Sequence, residues 1–223
     1  MGSTSDHEVV MNDRSRRHQQ AEDFFEGLWK RGDPWEFETS EFERAKYDEE
    51  IRIVSGRRHE RVLEMGCGAG AFTRRLSPLA DRVLALDVSP TAIARAREAE
   101  AGPGNTEFRV QNIMDFDLRA EGFWDLVVLN ETIYYLGWLY TFFEVAWFGT
   151  ELFNATLSGG HLLMANTFGE MSDHLISPTI IRTYHDLFKN VGYEQTSNEV
   201  FRGTKSGVEL EVLISLFTKP ALS

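Results

Sequence analysis

The sequence predicts an α/β fold: a doubly wound, mostly parallel sheet with helices on both faces, closed by an antiparallel pair. Three observations carry this. Strand-like and helix-like segments alternate from about Arg61 to Ala165. A glycine-rich turn, Met65-Gly66-Cys67-Gly68-Ala69-Gly70, follows the first of these strands. The last two strand-like segments are joined through a link too short for a helical crossover, so they must run antiparallel.

Taken in order, Met1 to about Arg31 reads as a flexible N-terminal arm ending in an apolar patch (Phe24, Phe25, Leu28, Trp29) that docks on the body. Residues 32–220 read as a single domain, with a helical lid at about 32–55. Ser40-Glu41-Phe42-Glu43 is a capping box, in which hydroxyl and carboxylate satisfy opposite orphan amides, and it opens a helix reaching about Val54. Arg61–Met65 is a strand and Ala69–Ser77 a helix. Arg82–Leu86 is a strand, and Pro90–Glu100 is a helix capped by Ser89, with Pro90 in its first turn. Strands recur at Thr106–Val110, Asp125–Leu129 and His161–Ala165, the last two separated by one long aromatic helix over Ile133–Gly149. Tyr193–Phe201 and Val208–Thr218 form the final pair, turning through Gly203–Gly207.

Composition narrows the partners. With 223 residues, 42% of them hydrophobic, the chain can bury one large core. A net charge of -12 disfavours nucleic acid and anionic membrane surfaces, leaving a small-molecule partner. The single cysteine, Cys67, fits a reducing cytoplasm and offers no metal cage. The aromatic segment is shorter than the ~20 residues a spanning helix needs, and is expected as core or as a dimer face in a monomer or homodimer.

The glycine turn satisfies two patterns. Gly66, Gly68 and Ala71 fit G-x-G-x-x-[G/A] of dinucleotide sites, whereas Glu64, Gly66, Gly68 and Gly70 spell E-x-G-x-G-x-G of a methyl-donor site. Asp87, 21 positions after Gly66 at the end of the second strand, can accept ribose hydroxyls in either case, by bonds worth roughly 1.5–3 kcal/mol. Glu64 separates the two: its charge repels a pyrophosphate but suits the sulfonium and ammonium of S-adenosylmethionine.

The residues also carry a resemblance. VLEMGCGAG, VLALDVSPTAIARAR, FRVQNIMDF, FWDLVVLNETIYYL and LSGGHLLMAN, in that order over about Arg61 to Asn166, resemble a class I S-adenosylmethionine-dependent methyltransferase. The resemblance implies a Rossmann-like seven-stranded sheet of order 3-2-1-4-5-7-6 with its last strand antiparallel, S-adenosylmethionine as cosubstrate, S-adenosylhomocysteine as product, and no metal. It implies a cofactor set of Glu64, Gly66, Cys67, Gly68 and Gly70 at the turn, Asp87 and Val88 at the ribose, Asn112 and Ile113 at the adenine, and Asn130 beyond strand four. Asn112 stands where the family commonly has Asp. Upstream, GDPWEFETSEFERAKYDEEI resembles the D-P-W-x-x-x-T-S-x-Y-E-x-x-K-Y segment of the Nod-factor N-methyltransferases, the NodS group, which act on an amino sugar ending a chitin-like oligosaccharide. Trp35 and Tyr47 of that segment are expected to close over the cofactor.

For the acceptor site, His174 in the loop GEMSDHLISP is the candidate base, helped by a histidine at the matching place in the NodS-like pattern. Glu131 and Tyr134, after strand four, are candidates to hold an ammonium or sugar hydroxyls. His185 reads as a surface helix position. The expected activity is methylation of an amino sugar or glycoside, at nitrogen in preference to a hydroxyl. A nicotinamide oxidoreductase and a non-catalytic binder of the same cofactor are the alternatives. Asn130-Glu131-Thr132-Ile133 lacks the Asn/Asp-Pro-Pro-aromatic segment of base amino-methylating enzymes.

Overall fold

The computed structural model describes residues 4–99, 102–169 and 174–221, with side chains from residue 13 onward in the first helix. In chain order the elements are α1 (Thr4–Trp29), α2 (Glu41–Val54), β1 (His59–Met65), α3 (Thr73–Leu76), β2 (Ala80–Asp87), α4 (Pro90–Glu98), β3 (Thr106–Val110), β4 (Trp124–Asn130), α5 (Ile133–Leu139), α6 (Phe142–Ala155), β5 (Thr156–Phe168), α7 (Pro178–Asn190), β6 (Glu194–Lys205) and β7 (Val208–Thr218). The sheet order is β3-β2-β1-β4-β5-β7-β6, as expected. β1 pairs in parallel with β2 and β4, while β7 runs antiparallel to β5 and β6.

Central strands buried on both faces make two cores. Leu63, Met65, Leu84, Leu86, Val127 and Leu129 face the side closed by α5, α6 and α7, through Ile133, Phe148, Leu152 and Phe188. Val62, Ala85, Leu126 and Val128 face the side closed by Phe42, Tyr47 and Val54 of α2 and Ile93 and Ala96 of α4. This alternation puts the carboxyl ends of β1, β2 and β4 at one edge, where the order reverses.

Four expectations are corrected. The segment read as an arm is α1, whose second half is seated on the body. Trp29 is buried, and Glu26 caps α4 by accepting from Ser89 Oγ (2.6 Å), Thr91 N (3.1 Å) and Thr91 Oγ1 (2.7 Å). The long aromatic helix is two helices, because Thr141 and Glu144 form a full capping box that starts α6. Its outer face is open: Trp138, Phe142, Phe143 and Trp147 are 46%, 56%, 75% and 59% exposed, so they are not core. At α2 only half of the expected box exists, since Ser40 accepts from Glu43 N while the Glu43 carboxylate turns to two lysines. Finally, β6 runs on to Lys205 and turns at Ser206-Gly207, both with positive φ (51° and 80°), so Gly203 is a strand residue lying against the Phe42 ring.

Candidate functional site

A cavity of about 430 Å³ lies at the carboxyl edge of β1, β2 and β4, within the range usual for small-molecule sites. At one end it meets Gly66, Gly68, Asp87, Val88, Asn112 and Ile113, and at the other Asn130, Glu131, Tyr134 and Trp35. Tertiary folding thus brings ten of the expected site residues to one cavity.

The glycine turn is held by its own protein. Gly66 N and Cys67 N donate to Leu86 O, Gly70 N donates to Cys67 O, and Gly68 N donates to Asp87 Oδ2 at 2.9 Å. Those four amides are therefore used internally. What the glycines supply is room: a Cβ on Gly66 (φ 79°) would lie 2.5 Å from Thr132 Oγ1, and one on Gly68 (φ 53°) 2.8 Å from the Trp29 ring. Gly70 does not reach the cavity; it lets β3 and α4 approach, a Cβ there meeting Phe108 and Ala96 at 3.3 Å.

Asp87 closes the turn, accepting also from Ser89 N at 2.9 Å. Burial raises its carboxyl to about 6 against these hydrogen bonds, so it is charged at neutral pH with lone pairs to spare. Glu64 lies on β1 on the α2 and α4 side, buried beside Thr73 and off the cavity. Burial pushes its carboxyl up to about 8, so near neutrality it is largely a neutral acid. As a side chain of a central strand pointing into the core, Glu64 presents no charge to a ligand and does not separate the two glycine patterns. Cys67 is likewise a buried turn residue whose thiol is pushed up by burial, and Tyr47 is packed against Phe72 in the α2 core, 5% exposed. Neither lines the cavity. Asn112 Oδ1, expected at the adenine, accepts from Met114 N at 3.0 Å and caps a 3-10 turn, while Nδ2 donates to Tyr140 at 3.0 Å.

At the far end, Glu131 has a left-handed backbone (φ 50°) and a saturated carboxylate. Oε1 accepts from Lys46 Nζ (3.0 Å) and Thr167 Oγ1 (2.8 Å), and Oε2 from Tyr134 OH (3.1 Å) and Thr167 N (2.9 Å). Burial opposes its charge, but Lys46 and these donors hold its carboxyl below the ordinary range. Lys46, fully buried, also meets Glu43 Oε2 at 2.6 Å, and Glu43 Oε1 accepts from Lys205 Nζ at 2.7 Å. The chain Glu131-Lys46-Glu43-Lys205 therefore ties β4 and α2 to the β6–β7 hairpin. Tyr134 is spent on Glu131, so neither is free to act as base. His174 is exposed and off the cavity; it is Leu175 and Ile176 that line it, and Glu170 to Asp173 lie outside the described residues. His185 is buried, bonded to Ser215 Oγ at 2.8 Å, and burial lowers it to about 3.

Sequence reasoning missed Lys46, Glu43 and Lys205, and also Gln111, Phe25 and Trp29, which line the cavity. Lys46 was within reach, as the lysine of the quoted ERAKY segment. Lys205 was not, since nothing local in a hairpin turn marks a tertiary ion pair.

Comparison with known proteins gives this geometry a family. The model of the family "Nodulation protein S (NodS)" matches residues 18–141, more than half of the chain. The chain belongs to the NodS family. Its NodS relatives include nodulation protein S of Rhizobium tropici, 32% identical over 135 residues (60% of this chain, 55% of that protein). That of Bradyrhizobium diazoefficiens is 37% identical over 107 residues (47% and 49%). The chain thus matches about half the length of these curated relatives. The crystal structure of N-methyltransferase NodS from Bradyrhizobium japonicum WM9, in complex with S-adenosyl-L-homocysteine, is similar in fold, with a TM-score of 0.72. It is 23% identical, over 87% of this chain and 98% of that one. The NodS match begins inside α1 and ends at the cap of α6, so it spans every cavity residue except those on β5 and the later elements.

Among the described residues no helix is long and apolar enough to cross a membrane, and no three metal-ligating side chains gather.

Proposed function

We propose that this NodS-family chain is an S-adenosylmethionine-dependent methyltransferase acting on the amine of a small molecule, with an amino sugar as the favoured acceptor. The observation that carries the reading is the single cavity joining a side-chain-free glycine turn and a charged strand-end carboxylate to a second, largely aromatic end.

The residues fit an adenosyl group. Gly66 and Gly68 put backbone without side chains at the cavity wall, with Thr132 and Trp29 packed against them, Asp87 offers lone pairs for a ribose diol, and Ile113, Leu139 and Tyr140 give a flat base an apolar wall. The cosubstrate, when bound, supplies a methyl group activated by its sulfonium. The work left to the chain is alignment, which can contribute on the order of 7–11 kcal/mol. The Glu131-Lys46-Glu43-Lys205 chain fixes the wall of the acceptor end, and α1, through Ala21, Phe25 and Trp29, keeps water from the donor end.

Nitrogen is favoured over oxygen because of what the cavity lacks. Among the described lining residues the carboxylates are Glu43 and Glu131, both already engaged, and Asp87, which lies at the donor end, and there is no histidine. A hydroxyl acceptor needs a general base; an amine needs only to arrive unprotonated. Supplying labelled methyl donor with matched amino-sugar, sugar-hydroxyl and phenol acceptors should label only the amine by mass. Labelling of phenols or carboxylates alone overturns the reading. A rise in melting temperature with S-adenosylhomocysteine and none with NAD(P) is expected; the reverse would make the protein a nicotinamide enzyme.

A further inference from the structure

At the donor end of the cavity, Asn112 follows β3 and Tyr140 ends α5, and both residues line the wall beside Ile113 and Leu139. Their side chains are joined at 3.0 Å, between Asn112 Nδ2 and Tyr140 Oη. The direction of that bond is fixed by a third group. The other arm of the Asn112 amide lies 3.0 Å from Met114 N, a main-chain amide that can only donate. The atom facing Met114 N must therefore be Oδ1, and the atom facing Tyr140 must be the NH2 group, which in its turn can only donate. Tyr140 Oη is the acceptor of the pair.

A phenol that accepts keeps its own hydrogen to give. Tyr140 is 5% exposed, and burial raises it above its ordinary 10, so the hydrogen is in place at neutral pH. Among the described residues no acceptor takes it; the ring of His18 stands 5.6 Å away, centroid to centroid, with no hydrogen bond between the two. An aspartate at position 112 would reverse the arrangement. One of its oxygens would still accept from Met114 N, but the other would accept the Tyr140 hydrogen and leave the wall without that donor. Asparagine in place of aspartate thus changes which partner holds the hydrogen, and not the charge alone.

We propose that Tyr140 is a recognition residue for the cosubstrate, its O–H donating to a ring nitrogen of adenine, and that Asn112 is the positioning residue that keeps this hydrogen available. The inference rests on the S-adenosylmethionine reading above. Adenine suits such a donor, because N1, N3 and N7 each carry an in-plane lone pair and no hydrogen. Apolar contact with Ile113 and Leu139 has no direction of its own, whereas one directed donor fixes how the base lies between them.

The test uses the full chain and titrates S-adenosylhomocysteine beside its 1-deaza, 3-deaza and 7-deaza analogues, each of which replaces one ring nitrogen by C–H. In the wild-type chain one of these replacements should weaken binding roughly 5- to 150-fold, the usual cost of leaving a buried donor unpaired. In Tyr140→Phe and in Asn112→Asp that same replacement should cost less than about twofold, since the donor it deprives is already gone. The ratio is the criterion, because Tyr140→Phe also strands the Asn112 NH2 group and Asn112→Asp adds a charge, and either change alters absolute affinity without touching a ring nitrogen. Replacements that cost the same in the wild-type chain and in Tyr140→Phe overturn the inference while the methyl-donor reading stands. Full sensitivity kept in Asn112→Asp overturns it too, since Asn112 would then not govern the hydrogen. If the wild-type chain binds no S-adenosylhomocysteine, the underlying reading falls and the inference with it.

Discussion

Lys46 is the residue on which the acceptor wall turns. It is fully buried between Glu43 and Glu131, and burial, which opposes its charge, is outweighed by those two carboxylates, so its ammonium is held well above the usual range. Removing one member of such a group leaves its partner charged and dry. Lys46→Met should therefore cost about 3–5 kcal/mol in urea unfolding. Loss below about 1 kcal/mol would mean that Glu131 is held by Thr167 and Tyr134 alone. His174 makes the opposite case. Being exposed and away from the cavity, it should tolerate His174→Ala with kcat changed by less than about twofold, the small effect usual for surface positions. A large fall in kcat, with a shifted pH profile, would restore it as a base.

At the scale of elements, α1 is fastened to the body by polar contacts as well as by Trp29. Arg17 pairs with Glu144 at 2.8 Å, and Glu26 caps α4. Partial burial works against the Glu26 charge, but bonds from Ser89 and Thr91 prevail and lower its carboxyl to about 2. A depressed carboxyl stabilises the fold above its ordinary 4.5 and loses that contribution as pH falls toward 2. Glu26→Gln should accordingly weaken S-adenosylhomocysteine binding at pH 7 and narrow the gap to wild type below about pH 3, measured by titration across that range. A gap independent of pH would detach Glu26 from the docking of α1. The capping boxes teach a related lesson. Ser40 and Thr141 carry the same S/T-x-x-E signal, yet only Thr141 closes its box, because Lys46 and Lys205 draw the Glu43 carboxylate away.

Over the whole molecule, buried ionisable groups set an acid-leaning optimum. Burial raises Glu50 and Glu64 to about 8, so the fold retains protons that the unfolded chain releases near 4.5, and stability falls as pH rises between these values. Burial lowers His185 to about 3 and His161 to about 4, so the unfolded chain takes up protons below 6.5 and stability falls as pH drops from there. The two trends oppose each other between about 4.5 and 6.5, and above that range only the carboxyls act. Melting temperature should thus be higher at about pH 6 than at pH 8.5, and Glu50→Gln should shrink the difference. A profile rising through pH 8 would exclude neutral Glu50 and Glu64.

The alternation of strands and helices, the antiparallel end and the glycine turn were legible in the sequence, because period, glycine spacing and link length are local and each carries its own steric rule; the order of the strands came with the family resemblance. Also legible were Asp87 at the turn and Trp35 beside the cavity, both in contiguous motifs. Glu64 and Tyr47 belong to the same motifs yet point into the core, since which face of a strand or helix meets a ligand depends on what packs against the other. The docking of α1, the occupied turn amides and the Glu131-Lys46-Glu43-Lys205 chain were settled only by tertiary structure. They join residues as far as 162 positions apart, and a charge may be buried only where the fold delivers its partner.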